Sequence, residues 1–192
     1  MLKMNEVARQ IARRLDAAFS GHTRVVRYRD ECEAHWVDIF SHQVDDGVYL
    51  GTIGGFQYPL LDFISDSDGL PLRVELVTKV QEKYADTMSA ILSSVYFEIQ
   101  RRRRNLFPGA VIRGLNCQYD DQCLPHLYFT NPFFDGDWVA IRADGFAVAF
   151  LSVFPISESE YTFLVSNGSD ALEKELEDSG FDYTDLHRRP LI

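Results

Sequence analysis

The sequence has no apolar run approaching the roughly 18 residues that would cross a bilayer as a helix, and only three cysteines among its 192 residues, Cys32, Cys117 and Cys123. The first shortage argues against a membrane-embedded chain. The second argues against a disulfide framework and fits a reducing compartment. The opening residues, Met1 to Glu6, lack the apolar core of a signal peptide, so the expected location is the cytoplasm. Positive charge is also scarce: 19 Lys and Arg face 29 Asp and Glu, for a formal net charge of −10. Such a molecule is repelled by nucleic-acid phosphates and anionic lipid head groups and favours basic partners. Missing too are HExxH, Gly-x-Ser-x-Gly and the Gly-Lys-Ser/Thr ending of a phosphate loop, so no local catalytic signature is present.

What is present is ordinary globular material, 46% hydrophobic and 25% charged, long enough to bury roughly 70% of its unfolded surface without a metal or cofactor. One domain over residues 1–192 is expected. Met4, Val7, Ala8, Ile11, Leu15, Ala18 and Phe19 form one apolar stripe at helical spacing, with Gly21 fitting the end of that helix. The period then changes to two, and strands are expected at 24–30, 36–42 and 48–54. A loop with an Asp66-Ser67-Asp68-Gly69 turn follows. Leu72, Val74 and Leu76 alternate with Arg73 and Glu75, which reads as a half-buried strand with a solvated face. Tyr84, Met88, Ile91, Leu92, Val95 and Ile99 give the strongest helical periodicity in the chain. Short strands are expected near 109–114, 127–130 and 138–142, and a central strand, apolar on both faces, at 146–154. Ser157 and Glu160 read as a capping box, with Ile156 and Tyr161 placed for a hydrophobic staple. Asn167-Gly168 ends that helix, Ser169 starts another, and Gly180 ends it. The fold class is α+β: a mostly antiparallel or mixed β-sheet packed with helices.

Several clusters invite a chemical reading, each with a plainer one beside it. Gly51-Thr52-Ile53-Gly54-Gly55 could cradle phosphate, but glycine also punctuates strand ends. Cys117, Cys123 and His126 could ligate metal, but their spacing matches no standard zinc pattern. A Cys/His pair drawn from His22, His35, His42, His126 and His187 would need geometry that no motif supplies. Arg101 to Arg104 could grip phosphate, or simply complement a helix C-terminus. Between Ser157 and Asp185 stand nine carboxylates against one lysine, Lys174. They form a solvated face or a docking surface for a basic protein.

The order of these elements resembles the Suppressor of Fused family, specifically its N-terminal domain. The run Phe146 to Glu160 is similar to that family's apolar strand entering a Glu-rich helix. Asn167 to Leu176 resembles the next helix, and Thr184-Asp185-Leu186-His187-Arg188-Arg189 the family's terminal Asp-x-x-Arg-Arg. His126 to Pro132, Gly51 to Gly54 and Val74-Glu75-Leu76 also fit, so the likeness spans about residues 36 to 192. It implies a non-catalytic, protein-binding α+β domain, without cofactor or metal and without the second domain of the animal proteins' clamp. Those proteins hold a transcription-factor segment as an added strand. Where they carry Gly-Asp, with an aspartate that helps bind that segment, this chain has Gly109-Ala110. Tyr96 sits near the family's partner-contacting tyrosine. Stand-alone bacterial relatives are proposed as immunity partners of secreted toxins.

The expected function is therefore a binding module for a basic protein, possessing no catalytic residue. Its expected partner-binding residues are Tyr96, Glu173, Glu177, Asp178 and Asp182, together with strand addition at an open sheet edge. A regulator that sequesters an endogenous protein, an enzyme built from scattered His, Cys and carboxylates, and a homo-oligomeric scaffold are the competing readings, and the oligomeric state is open.

Overall fold

A computed structural model describes residues 4–19, 22–60, 65–102, 105–119, 121 and 124–192. The N-terminal stripe forms α1 (Met4–Ala18), burying Val7, Ile11 and Leu15 while Arg9 and Arg13 face water. The expected stop at Gly21 lies outside the described residues. The change of period yields an antiparallel meander of β1 (His22–Arg29), β2 (Trp36–Val44) and β3 (Gly47–Ile53), continued by β4 (Leu72–Val80). The Asp66 turn forms as expected: the Asp66 Oδ1 accepts from the amides of Asp68 and Leu70. The long helix α2 (Ala85–Arg102) follows, then the short strands β5 (Val111–Ile112), β6 (His126–Thr130) and β7 (Ile141–Arg142), the long β8 (Ala147–Ile156), and the helices α3 (Glu158–Asn167) and α4 (Ser169–Ser179).

All eight strands join one sheet in the order β1-β2-β3-β4-β8-β6-β5, with β7 added beside β8. One pair, β4 with β8, is parallel; the others are antiparallel. The class is thus α+β with a mixed sheet, and β8 is the central strand expected from its two apolar faces. Leu151 and Val153 point into the cluster under α2, with Val74, Leu76, Met88, Ile91 and Val95. Val148 and Phe150 point oppositely, into the cluster under α1 with Val7, Ile11 and Leu15. Further along that second face, Phe154 and Ile156 meet Leu172 and Leu176 of α4.

One face therefore carries two separate helical covers, α1 and the α3–α4 pair. Aromatic side chains fill the seam between them. Phe19 stacks on Tyr49 at 4.1 Å, Tyr49 meets Phe134 at 5.6 Å, and Phe134 meets Tyr183 at 5.7 Å. Trp138 joins the α1 side of this seam, against Phe150 at 5.4 Å, and donates its indole N–H to the Phe134 carbonyl. That placement explains why the strand expected at 138–142 shortens to Ile141–Arg142: the chain leaves the sheet so that Trp138 can fill the seam. The strand expected at 109–114 likewise pairs only over Val111–Ile112.

The solvated face expected on β4 is absent. Glu75 is 0% exposed, because both faces of the sheet are covered at β4 and the Gly54–Phe56 amides close over the carboxyl. Arg73 lays its guanidinium 4.1 Å from the Phe146 ring centroid. The Ser157–Glu160 capping box forms in full, with both reciprocal bonds, but α4 is capped by Gly168; Ser169 is its first helical residue. Close packing around the turn after β3 gives a direct check. A Cβ added at Gly55 would sit 2.3 Å from the Val74 carbonyl oxygen and 2.5 Å from the Tyr96 hydroxyl. Gly55→Ala should therefore destabilise the fold by about 1–3 kcal/mol, read by urea denaturation.

Candidate functional site

Strand β6 leaves the sheet at Thr130, and Asn131-Pro132-Phe133 turns across the α3–α4 end of the seam. Opposite it, α4 stops at Gly180, which takes the left-handed conformation (φ 61°) that favours glycine and turns the chain back. Phe181 then packs on Phe154 at 5.3 Å and Tyr183 on Phe133 at 5.1 Å. Between these two segments lies a groove of about 520 Å³. Leu176, Phe154, Phe181 and Tyr183 line it, Phe133 stands at its side, and Glu173 and Glu177 belong to its wall. Burial pushes the Tyr183 hydroxyl up to about 12, with nearby acidic groups adding to the shift.

Glu173 is fixed in that wall by two β6 side chains. The hydroxyls of Tyr128 and Thr130 both donate to its Oε1, at 2.7 and 2.6 Å. Burial, then the bond to Glu173, raises the Tyr128 pKa well above that of free tyrosine, so Tyr128 remains a donor at any physiological pH.

The other residues expected to meet a partner are dispersed. Glu177 is exposed beside the groove. Asp178 is exposed and pairs with Lys174 one turn back. Asp182 accepts from the amide and hydroxyl of Thr184 and from Gln81, and so belongs to the turn that ties the C-terminal segment to the start of α2. Burial would raise its pKa, yet these bonds outweigh it and the group is held below the ordinary aspartate value. Tyr96 is 1% exposed and lies in the α2-side core, its hydroxyl 2.9 Å from Thr52 Oγ1 and 3.1 Å from the Val74 carbonyl. Placed there, it presents no surface to a partner. The groove's aromatic side chains were not singled out from sequence, because Phe133, Phe154, Phe181 and Tyr183 are distant in the chain and share no period.

The glycine run and His126 take structural roles. The amides of Gly54, Gly55 and Phe56 do form an anion cradle, and it is filled from within: they donate to the Glu75 carboxyl at 3.0, 3.2 and 3.0 Å. His126 accepts the Gly114 amide on Nδ1 and places Nε2 2.7 Å from Glu158, so both ring nitrogens are engaged. Arg113 reaches the same Glu158 and stacks 4.6 Å from the Tyr161 ring centroid. Cys117 is exposed, and Cys123 lies outside the described residues, as do Arg103 and Arg104. Among the described residues no group of three His, Cys, Asp or Glu is placed to hold a metal ion, and no helix is long and apolar enough to cross a membrane.

A second depression flanks the α3–α4 pair, with Phe107, Ala110, Val111, Leu164 and Val165 in its lining. Ala110 therefore lies in a trough whose lining also includes Arg113 and Tyr161. Among the described residues the strands paired on one side only are β1, the two-residue β5 and the two-residue β7. The β1 edge carries Arg24, Arg27 and Arg29, with Arg27 held by a bidentate pair to Asp38 at 2.7 and 2.8 Å. It is five strand spacings from β6, roughly 24 Å away.

A family model described as Suppressor of fused protein (SUFU) matches residues 35–189. A curated relative, the Immunity protein YqcF of Bacillus subtilis (strain 168), is 28% identical over 186 residues, which is 95% of each chain. Among solved structures, a SUFU homolog from Neisseria gonorrhoeae FA 1090 superposes with a TM-score of 0.69 at 14% identity, covering 98% of both chains. A chain of the Sufu–Fu complex gives 0.66 at 11% identity, covering 96% of this chain and 92% of that one. Drosophila Suppressor of Fused gives 0.58 at 11% identity, over 81% of this chain and 42% of its own.

Proposed function

The chain belongs to the Suppressor of fused protein (SUFU) family, and from that membership we propose that it acts in the cytoplasm as a single-domain, non-catalytic module that neutralises a basic protein toxin by binding it. The observation that carries this reading is the end-to-end relation to a protein named for immunity, which spans 95% of both chains. Charge adds to it: a net charge of −10 favours encounter with a cationic partner. The contact region on this reading is the α3–α4 end of the molecule, where the groove, the trough and the acidic face of α4 adjoin. The arginine-bearing β1 edge has the wrong sign for a basic partner and lies too far away for one short segment to engage both.

Co-expression tests the reading. The chain should restore growth of a host producing the toxin encoded beside its own gene, and the two should co-purify. Growth inhibition that persists with abundant chain present would end the proposal. In stopped-flow mixing, reversing Glu177 and Asp178 to lysine should slow association roughly 3- to 10-fold at low salt and flatten its ionic-strength dependence, since peripheral charges act mainly on the encounter rate. Unchanged rates would remove the electrostatic part.

A further inference from the structure

We infer that the groove between β6 and α4 is an anchor site for a short protein segment that carries a large apolar side chain beside an arginine or lysine; this rests on the protein-binding reading and narrows it. The apolar requirement comes from the floor. Leu176, Phe154, Phe181 and Tyr183 make a mainly aromatic floor in a groove of about 520 Å³, within the range of sites that enclose a ligand group. Phe133 is 48% exposed although its ring lies against Phe134, Phe154 and Tyr183 at 4.5, 6.1 and 5.1 Å. An aromatic side chain held open by three others, at the side of an apolar cleft, is surface that gains from being covered.

The cationic requirement comes from the wall. Glu173 and Glu177 stand one helical turn apart on α4, and among the described residues no lysine or arginine lines the groove. Lys174, the cation on that helix, is paired with Asp178. Glu173 is held by Tyr128 and Thr130, so its carboxylate is positioned before any partner arrives. A guanidinium or ammonium placed there would meet two carboxylates, which favour a cation. An acidic segment or a nucleic-acid phosphate would meet the same carboxylates as repulsion.

Random peptides displayed on phage and selected on the immobilised full chain test this without knowledge of the natural partner. Selected sequences should place an aromatic or large aliphatic residue within two positions of Arg or Lys. Glu177→Lys and Phe133→Ser should each weaken their binding roughly tenfold or more, whereas Val25→Ser, on the exposed β1 edge, should leave it unchanged. Unaltered thermal unfolding of the variants separates lost contacts from lost folding. No enrichment, enrichment of another pattern, or peptides that bind all variants equally would overturn the assignment. Failure of the groove and failure of the immunity reading are distinguishable. Growth rescue that survives Phe133→Ser and Glu177→Lys leaves the module standing and removes the groove. Selective peptide binding without rescue does the reverse.

Discussion

Replacing Arg188 by methionine should lower the unfolding free energy by about 3–5 kcal/mol, the cost of stranding a buried charge, and the melting temperature by on the order of 10 °C. Arg188 approaches Glu160 as a fork, Nη1 to Oε1 at 2.6 Å and Nη2 to Oε2 at 3.0 Å, and Nη2 also donates to the Pro155 carbonyl at 3.2 Å. Glu160 is 0% exposed and accepts two further amides, from Ser157 at the start of α3 and from Leu191. The pair thus locks the C-terminal segment to the first turn of α3. Burial alone would raise the Glu160 pKa, but Arg188 and the two amides outweigh it, and the group sits below the ordinary glutamate value. A lowered pKa stabilises the fold above the unfolded value near 4.5 and loses that contribution as pH falls through the folded value. Arg188→Met should reverse this slope, since protonating a stranded Glu160 then relieves it. Arg188→Lys, which keeps the charge but not the fork, should fall between the two. Adding Glu160→Gln to Arg188→Met should recover part of the loss, a coupling that denaturant unfolding at several pH values measures. Additive losses would show that the two side chains are not one unit.

The same pair shows where sequence reading succeeds and where it stops. The Ser157–Glu160 box was legible because both partners lie within one helical turn, and capping chemistry fixes their spacing. That Glu160 also receives Arg188 was not, since the two partners are separated by 28 positions in the chain. Strand β8 was legible because two apolar faces can only mean cover on both sides. The fate of Glu75 was not, since a carboxylate alternating with Leu and Val reads as solvent-facing until the Gly54–Phe56 amides are seen folding over it. The glycine run did signal an anion site; that the anion would come from the same chain was beyond local pattern. Glu173 and Glu177, which line the groove, stood out in the sequence only as members of an acidic stretch, since charge density survives there. Their aromatic neighbours were not, because the groove is assembled from three separate segments. Tyr96 entered as a contact residue through resemblance, with a core role open beside it; the structure places it in the core, where its spacing with Leu92 fits the buried stripe of α2.

Removing the Glu75 carboxyl should be the most damaging single change in the sheet. Glu75→Ala leaves the amides of Gly54, Gly55 and Phe56 without their acceptor and the Thr52 hydroxyl with Tyr96 alone to accept from it. At about 1–3 kcal/mol for each buried unsatisfied donor, the variant should fail to accumulate as folded protein. Glu75→Gln keeps one acceptor oxygen and is the informative variant. Burial raises the Glu75 pKa, the four donors pull it partly back, and the result is about 7. A raised carboxyl pKa works opposite to that of Glu160: its contribution is complete below the unfolded value near 4.5 and is lost as pH rises through 7. The 2.5-unit span, at 1.36 kcal/mol per unit, sets that loss at about 3 kcal/mol. The buried hydroxyls can serve both protonation states. When Glu75 is neutral its O–H can donate to Thr52 Oγ1 at 2.5 Å, Thr52 to Tyr96 at 2.9 Å, and Tyr96 to the Val74 carbonyl at 3.1 Å. When Glu75 is ionised, Thr52 turns its proton back to the carboxylate. Glutamine cannot ionise, so its stability deficit relative to the parent should shrink by about 3 kcal/mol between pH 5 and pH 8, as measured by urea denaturation. A deficit that stays constant would mean that Glu75 carries its charge throughout, held by the amides against the cost of burial. Tyr96→Phe leaves the Thr52 proton without its acceptor in the neutral state alone. It should therefore shift the transition to lower pH, an effect that a purely space-filling Tyr96 would not produce.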